Sequence, residues 1–231
     1  MNIADQLRIA LPPLADSQGL TVQEIAYRRM RLGLLTGSIP PGNPVTVRGL
    51  AEALDISPTP VREALRRLSA EGGLVVLENR RITTPPMNQA RFVEMLELRV
   101  ALERHAAGRA LPYMTDVLID QLEGIDLKLD EVHRSEHVQS VLLNQAFHRG
   151  IYAANPDCPC LQMIESIWLQ LGPFTRLAAL MSGELYTIDR HKDIINALRN
   201  RDQVGLMRGI ESDIRDATAH LTPERLDGLL G

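Results

Sequence analysis

Asn144 and His148 stand four residues apart in a helical pattern, so they share one helix face, which Ile151 and Tyr152 turn toward a core. His191 shares a face with Ile188, Ile194, Ile195 and Leu198, and Asp213 with Leu206, Ile210 and Ala217. Four polar groups on the inward faces of three helices need partners or they cost stability. A bound cation would satisfy them together; separate hydrogen bonds in the core would satisfy them singly. Two imidazoles, one carboxylate and an amide suit zinc, nickel, manganese or iron. Arg99 falls on a face with Met95, Leu102 and Ala106. An arginine buried there needs an anion, either the carboxylate of a bound effector or a neighbouring Glu. Met95, Leu98 and Leu102 read as plain core, and His105, His133, His137 and His220 as surface residues.

A second set of residues is suited to reading a nucleic acid. Thr59, Arg62 and Arg66 lie opposite Val61, Leu65 and Leu68 on one helix, and Arg48 opens the helix before it. A guanidinium bonds guanine O6 and N7 in a fork or clamps phosphates, so Arg62 and Arg66 are candidates for both tasks. Arg80 and Arg81 sit at the tip of a predicted hairpin, within reach of a DNA backbone or minor groove. Any one of these arginines alone would read as solvated surface; their shared edge is what points to DNA.

The elements that must carry these residues follow from the pattern. Thr21 to Thr36 reads as a helix with a capping box from Thr21 and Glu24, stopped by Gly37. Val47 to Leu54 is a second helix, Ser57-Pro58-Thr59-Pro60 restarts a third, and Gly72-Gly73 ends it. LVVLENRRITT then alternates as two short strands around a Glu78–Arg81 tip, which makes a winged helix-turn-helix over residues 21–87 behind a 1–20 extension. A helix over Ile3–Leu11 is expected within that extension, with no role assigned. Residues 88–231 show only helical pattern, with breaks expected near Pro112, Asn155–Pro159, Gly172-Pro173, Ser182-Gly183 and Arg201-Asp202, or about six helices. The fold class is therefore mainly α, a winged helix followed by a helical bundle.

Composition narrows the class. With 231 residues, 45% hydrophobic and 23% charged, the chain can bury its own core, and two domains are the natural division. The net charge of −4 hides an asymmetry: residues 21–87 hold nine arginines against six acidic residues, residues 88–231 fifteen basic against twenty-one acidic. A basic front on an acidic body agrees with DNA binding by the front. The first twenty residues show neither signal peptide nor membrane span, so a cytoplasmic protein is expected. Cys158 and Cys160, separated by Pro159, have poor spacing for a disulfide and form half of a thiolate metal site, so reduced bystanders are expected.

Residues 27–87 carry Y-R-x-x-R-L-G-L-L-T-G-S-I-P-P-G and then V-R-x-L-A-E-A-L-D-I-S-x-T-P-V-R-E-A-L-R-R-L-x-x-E-G. This resembles the GntR family of transcription regulators across the whole winged helix. The resemblance implies that Arg48, Thr59 and Arg62 contact operator DNA; Pro58 stands where many members have an arginine, and Arg81 where glycine is common. FVEMLELRVALERHAAGRA and NQAFHRGIYAANP resemble the FadR-type C-terminal domain of that family, whose helical bundle binds effectors and often a divalent metal. On that template Asn144, His148, His191 and Asp213 are the metal ligands, with Asn and Asp at the ends where Asp and His are common.

The expected function is a DNA-binding homodimer, not an enzyme, that represses from a two-fold operator until a small organic acid binds beside the metal near Arg99. Two other readings stay open: a direct sensor of the metal itself, and a metal hydrolase carrying a DNA-binding domain, for which no nucleophile or general-base motif is found.

Overall fold

The computed structural model describes residues 11–42, 44–132, 137–182, 190–219 and 221. The helix expected over Ile3–Leu11 lies outside them save its last residue, as do His133, His220 and the side chain of His137. Two compact units form.

Of the described residues, the first unit holds 11–42, 44–88 and 166–181. Helix α1 (Val22–Leu35) starts at Thr21, whose hydroxyl accepts the Glu24 amide, and α2 (Val47–Leu54) starts at Thr46 in the same way. The Glu24 carboxylate completes no capping box: it binds Arg28 and Arg67 instead. Asp55, in the left-handed conformation at φ 55°, ends α2, and α3 (Pro58–Ala70) begins three residues later with proline at its first position, where no amide is needed. Leu50, Leu54, Val61, Leu65 and Leu68 are buried between these helices.

Strands β1 (Val75–Val76) and β2 (Ile82–Thr83) pair antiparallel, Val75 opposite Thr83, and Val45 adds a bridge to Ile82 on the other side. The tip closes with the Arg80 amide on the Leu77 carbonyl and the Leu77 amide on the Arg81 carbonyl. Arg80 sits there at φ 61°, the position glycine fills most easily. Arg81, which stands where glycine is common in the resembling family, is not among the left-handed residues.

Of the described residues, the second unit holds 89–132, 137–165, 182, 190–219 and 221. Its helices are α4 (Gln89–Ala110), α5 (Asp116–Glu131), α6 (His137–Tyr152), α8 (His191–Arg199) and α9 (Gln203–Thr218), with the first turns of α7 (Cys160–Ser182). Among the described residues six α-helices follow residue 88, as expected, but for compensating reasons. The chain breaks after α5, where no stop residue announced it, and α7 runs straight through Gly172-Pro173.

Packing explains that second departure. Proline removes an amide and crowds the preceding turn, which normally ends or kinks a helix. Here the Thr175 hydroxyl donates to the Gly172 carbonyl at 3.0 Å, and Gly172 lies against the backbone of α1. Ser166 donates to the Glu71 carbonyl at 2.6 Å on the same side. These contacts hold the proline turn helical. No helix of the described residues is long and apolar enough to cross a membrane.

Helix α4 corrects another expectation. Leu98 is 48% exposed, and Met95 and Leu102 are only half-buried. The buried face is instead Phe92, Val100, Ala106, Ala107 and Ala110, because Gly108 lets α9 approach until Met207 lies within contact of it. Small residues set the register of α4, and its larger apolar residues yield.

A Cβ added at Gly172 would meet the Leu34 carbonyl oxygen at 2.7 Å and the Leu35 backbone at 3.0 Å. Neither atom can rotate away. Gly172→Ala is therefore expected to lower stability by about 1–3 kcal/mol in urea denaturation, despite alanine's better helix propensity. A gain in stability would contradict this packing.

Candidate functional site

Three helices of the second unit bring these polar residues into one largely buried cluster. His148 and Asn144 project from α6, His191 is the first residue of α8, and Asp213 comes from α9. His148, His191 and Asp213 are 1%, 0% and 2% exposed, and a ligand atom from each lies within 4.8 Å of the others. His148 Nε2 is 3.0 Å from Asp213 Oδ2, and Asn144 Nδ2 is 3.5 Å from His191 Nε2. The Phe147 ring stacks on His191 with centroids 3.9 Å apart and walls this side of the cluster.

The outer partners decide which nitrogen of each ring faces inward. His191 Nδ1 lies 2.8 Å from Asp126 Oδ1, and a carboxylate there accepts the Nδ1–H, leaving the Nε2 lone pair toward the cluster. His148 Nδ1 lies 3.3 Å from the Tyr152 hydroxyl. That hydroxyl spends its own proton on Glu103 Oε2 at 2.7 Å, so toward His148 it accepts. Nδ1 of His148 therefore carries a proton. Its Nε2 then meets the Asp213 carboxylate lone pair to lone pair unless a further proton or a cation lies between them.

Behind His148 the network continues. Arg99 Nε donates to Glu103 Oε1 at 2.7 Å, and Glu103 is fully buried. Glu103 thus pairs with the Arg99 guanidinium through Nε. Burial opposes the Arg99 cation, but Glu103 more than offsets it and holds the guanidinium above its ordinary range. Burial, with the Glu103 charge and hydrogen bond, pushes the Tyr152 phenol well above its usual value, so it remains a donor. On the far side, Asp213 Oδ1 accepts the Arg190 amide at 3.1 Å, at the head of α8.

Asp126, Glu103 and Tyr152 were not singled out from sequence. Tyr152 has a legible signal, being four residues beyond His148 on the same face. Glu103 carries the same signal from Arg99. Asp126 carries none, since nothing local tells a buried aspartate of α5 from the exposed acids around it.

The first unit presents its arginines differently. Arg48, Thr59, Arg62, Arg66 and Arg80 are all exposed, while Val61, Leu65 and Leu68 opposite them are buried. Arg48 pairs with Glu52 at 2.9 Å and Arg66 with Glu63, weak surface pairs that a phosphate can displace. Arg67, though also exposed, is a brace: its guanidinium lies 3.4 Å above the Tyr27 ring and reaches Glu24 and Glu71, whose carboxylate accepts the Tyr27 hydroxyl. Burial and that carboxylate push the Tyr27 phenol up to about 12, so the brace keeps its proton. Helix α3 is clamped to α1 by this group and turns its other edge outward.

Residues 22–83 match bacterial regulatory proteins of the gntR family, and residues 94–216, over half the chain, match the FCD domain. The chain belongs to the GntR family, with an FCD domain. It is a DNA-binding transcription regulator of that family. Among its relatives, the HTH-type transcriptional regulator McbR of Escherichia coli is 28% identical over 176 residues, covering 74% of this chain and 80% of McbR. The gluconate operon transcriptional repressor of Bacillus subtilis is 24% identical over 216 residues, covering 87% and 84%. The solved structure of E. coli McbR/YncC superposes with a TM-score of 0.76 at 24% identity over 87% of this chain and 97% of that one, which establishes the shared GntR fold.

Truncating Glu103 tests the buried network. Glu103→Ala leaves the Arg99 cation buried without its anion and Tyr152 without its acceptor. It is expected to destabilise the protein by about 3–5 kcal/mol in chemical denaturation. A loss below 1 kcal/mol would mean that Arg99 and Tyr152 find water instead.

Proposed function

We propose that this regulator is a ligand-released repressor. Residues 21–87 read a two-fold operator as a homodimer in the cytoplasm, and residues 88–231 hold a divalent metal beside which a small organic acid binds. The observation that carries this reading is the buried trio of His148, His191 and Asp213, with both imidazoles turned Nε2-inward by Asp126 and Tyr152. Donor atoms within 4.8 Å of one another suit a single ion with bonds of about 2.0–2.2 Å, once they draw in slightly. A cation also supplies the positive charge that the His148–Asp213 contact needs. Asn144 is the fourth ligand, through its amide oxygen once the side-chain amide turns over. Zinc, nickel, manganese and iron all fit the donor set.

Arg99, close enough to Asp213 to feel its charge, is the residue we assign to the effector carboxylate, which a guanidinium grips with two parallel N–H groups. An acid bridging metal and Arg99 would bind differently in the DNA-bound and free arrangements, and that difference in affinity is all that release requires. The Bacillus subtilis relative is named a repressor, which supports repression as the sign. The relatives are regulators, which supports a role without catalysis. A second reading, in which the metal is itself the signal, is favoured by the near-complete burial of the three ligands; DNA affinity that follows the metal and ignores every acid would select it.

On DNA, Arg48, Thr59, Arg62, Arg66 and Arg80 are assigned to the operator, with Arg62 and Arg66 at the groove and Arg80 at the tip of the wing. Arg62→Ala is expected to weaken operator binding by about 1–3 kcal/mol at fixed salt and leave non-specific binding nearly unchanged. Unaltered operator affinity removes Arg62 from the reading set. For the metal, His148→Ala and His191→Ala are expected to purify metal-poor with a lower melting temperature, by elemental analysis and thermal denaturation. Wild-type metal content in both variants would exclude the cluster as the site.

A further inference from the structure

Cys158 and Cys160 take part in neither surface above. Pro159 between them, with its φ fixed by the ring, is the second residue of a turn that the Leu161 amide closes on the Cys158 carbonyl at 3.3 Å. Cys160 then opens α7. The turn brings both side chains to one side, and the two free thiols lie with their sulfurs 3.3 Å apart. Cys160 is buried and Cys158 half-buried, so the pair is reached from the Cys158 side. Burial and the contact with Cys158 push the Cys160 thiol up to about 11, which makes it a poor nucleophile toward peroxides at neutral pH. Among the described residues no third His, Cys, Asp or Glu gathers with the pair, so a structural zinc would lack half its ligands.

We propose that Cys158 and Cys160 form a chelating dithiol site for a trivalent arsenic or antimony centre. With bonds of about 2.3 Å, the length thiolates make to zinc, sulfurs 3.3 Å apart subtend an angle close to a right angle. A pyramidal centre carrying a lone pair adopts that angle; a linear or tetrahedral centre opens wider. Binding is a condensation. Two S–H bonds and the As–O double bond of an arsine oxide give two As–S bonds and one water, arsenic stays trivalent, and no oxidant is consumed. Protonated thiols suffice, because both protons leave with the oxygen.

The test uses the full chain and phenylarsine oxide in excess monothiol, followed by gel filtration and intact mass. Wild type is expected to retain one phenylarsenic group per chain, with the mass of the oxide less one water, and to release it to ethanedithiol. Cys158→Ser, at the accessible position, is expected to retain at least tenfold less with an unchanged melting curve; Cys160→Ala gives the same result if it folds. Three results overturn the site: no retention by wild type, undiminished retention by Cys158→Ser, or a wild-type mass two hydrogens light before any addition, which would reveal a disulfide instead.

Discussion

Glu103, Asp126, His148, His191 and Asp213 are all buried in one helical unit, and their pairings tie together the helices that carry them. Removing ionisable side chains from water is expensive unless each finds a charge or hydrogen-bond partner. Arg99 answers Glu103, Glu103 holds Tyr152, Tyr152 orients His148, and Asp126 orients His191. The links join α4 to α6 and α5 to α8, with α9 contributing Asp213. A helix that slips by one residue breaks a link, so this polar core fixes register in a way that an all-apolar core would not. The close approach of α4 and α9 at Gly108 serves the same end, even at the expense of leaving Leu98 outside.

The winged helix solves a different problem with similar means. Its reading helix must be rigid yet bare on one side. The Tyr27–Arg67–Glu71 group clamps α3 to α1, while Thr59, Arg62 and Arg66 stay in water. Arg67 and Arg66 are adjacent in sequence and identical in type, and only their neighbours separate brace from candidate contact. At the wing, a left-handed Arg80 keeps a long cation at the tip where glycine would relax the turn, a local strain of the kind that gathers at functional positions.

The sequence made much of this legible where the signal is local. The cap at Thr21, the proline restart of α3 and the alternation of the hairpin place the head to within a residue, and the i, i+4 spacing of Asn144 and His148 announces an inward polar face. What escaped depends on distant partners. Pro173 reads as a stop because the support from α1 beneath Gly172 lies far away in the chain. Asp126 gains its meaning only from His191, across two helices. Cys158 and Cys160 are free, as expected, but their spacing alone does not say that a proline turn aligns their sulfurs.

The central claim, that an organic acid binds at a metal held by His148, His191 and Asp213, is tested most directly by thermal denaturation. Purified protein is screened against small mono- and dicarboxylates and sugar acids, each with and without chelator. A ligand that binds only the folded state raises the melting temperature by mass action. The account predicts a rise with one class of acid that disappears when the metal is removed. A rise that survives full chelation, or a melting temperature that neither chelator nor any acid moves, would contradict it.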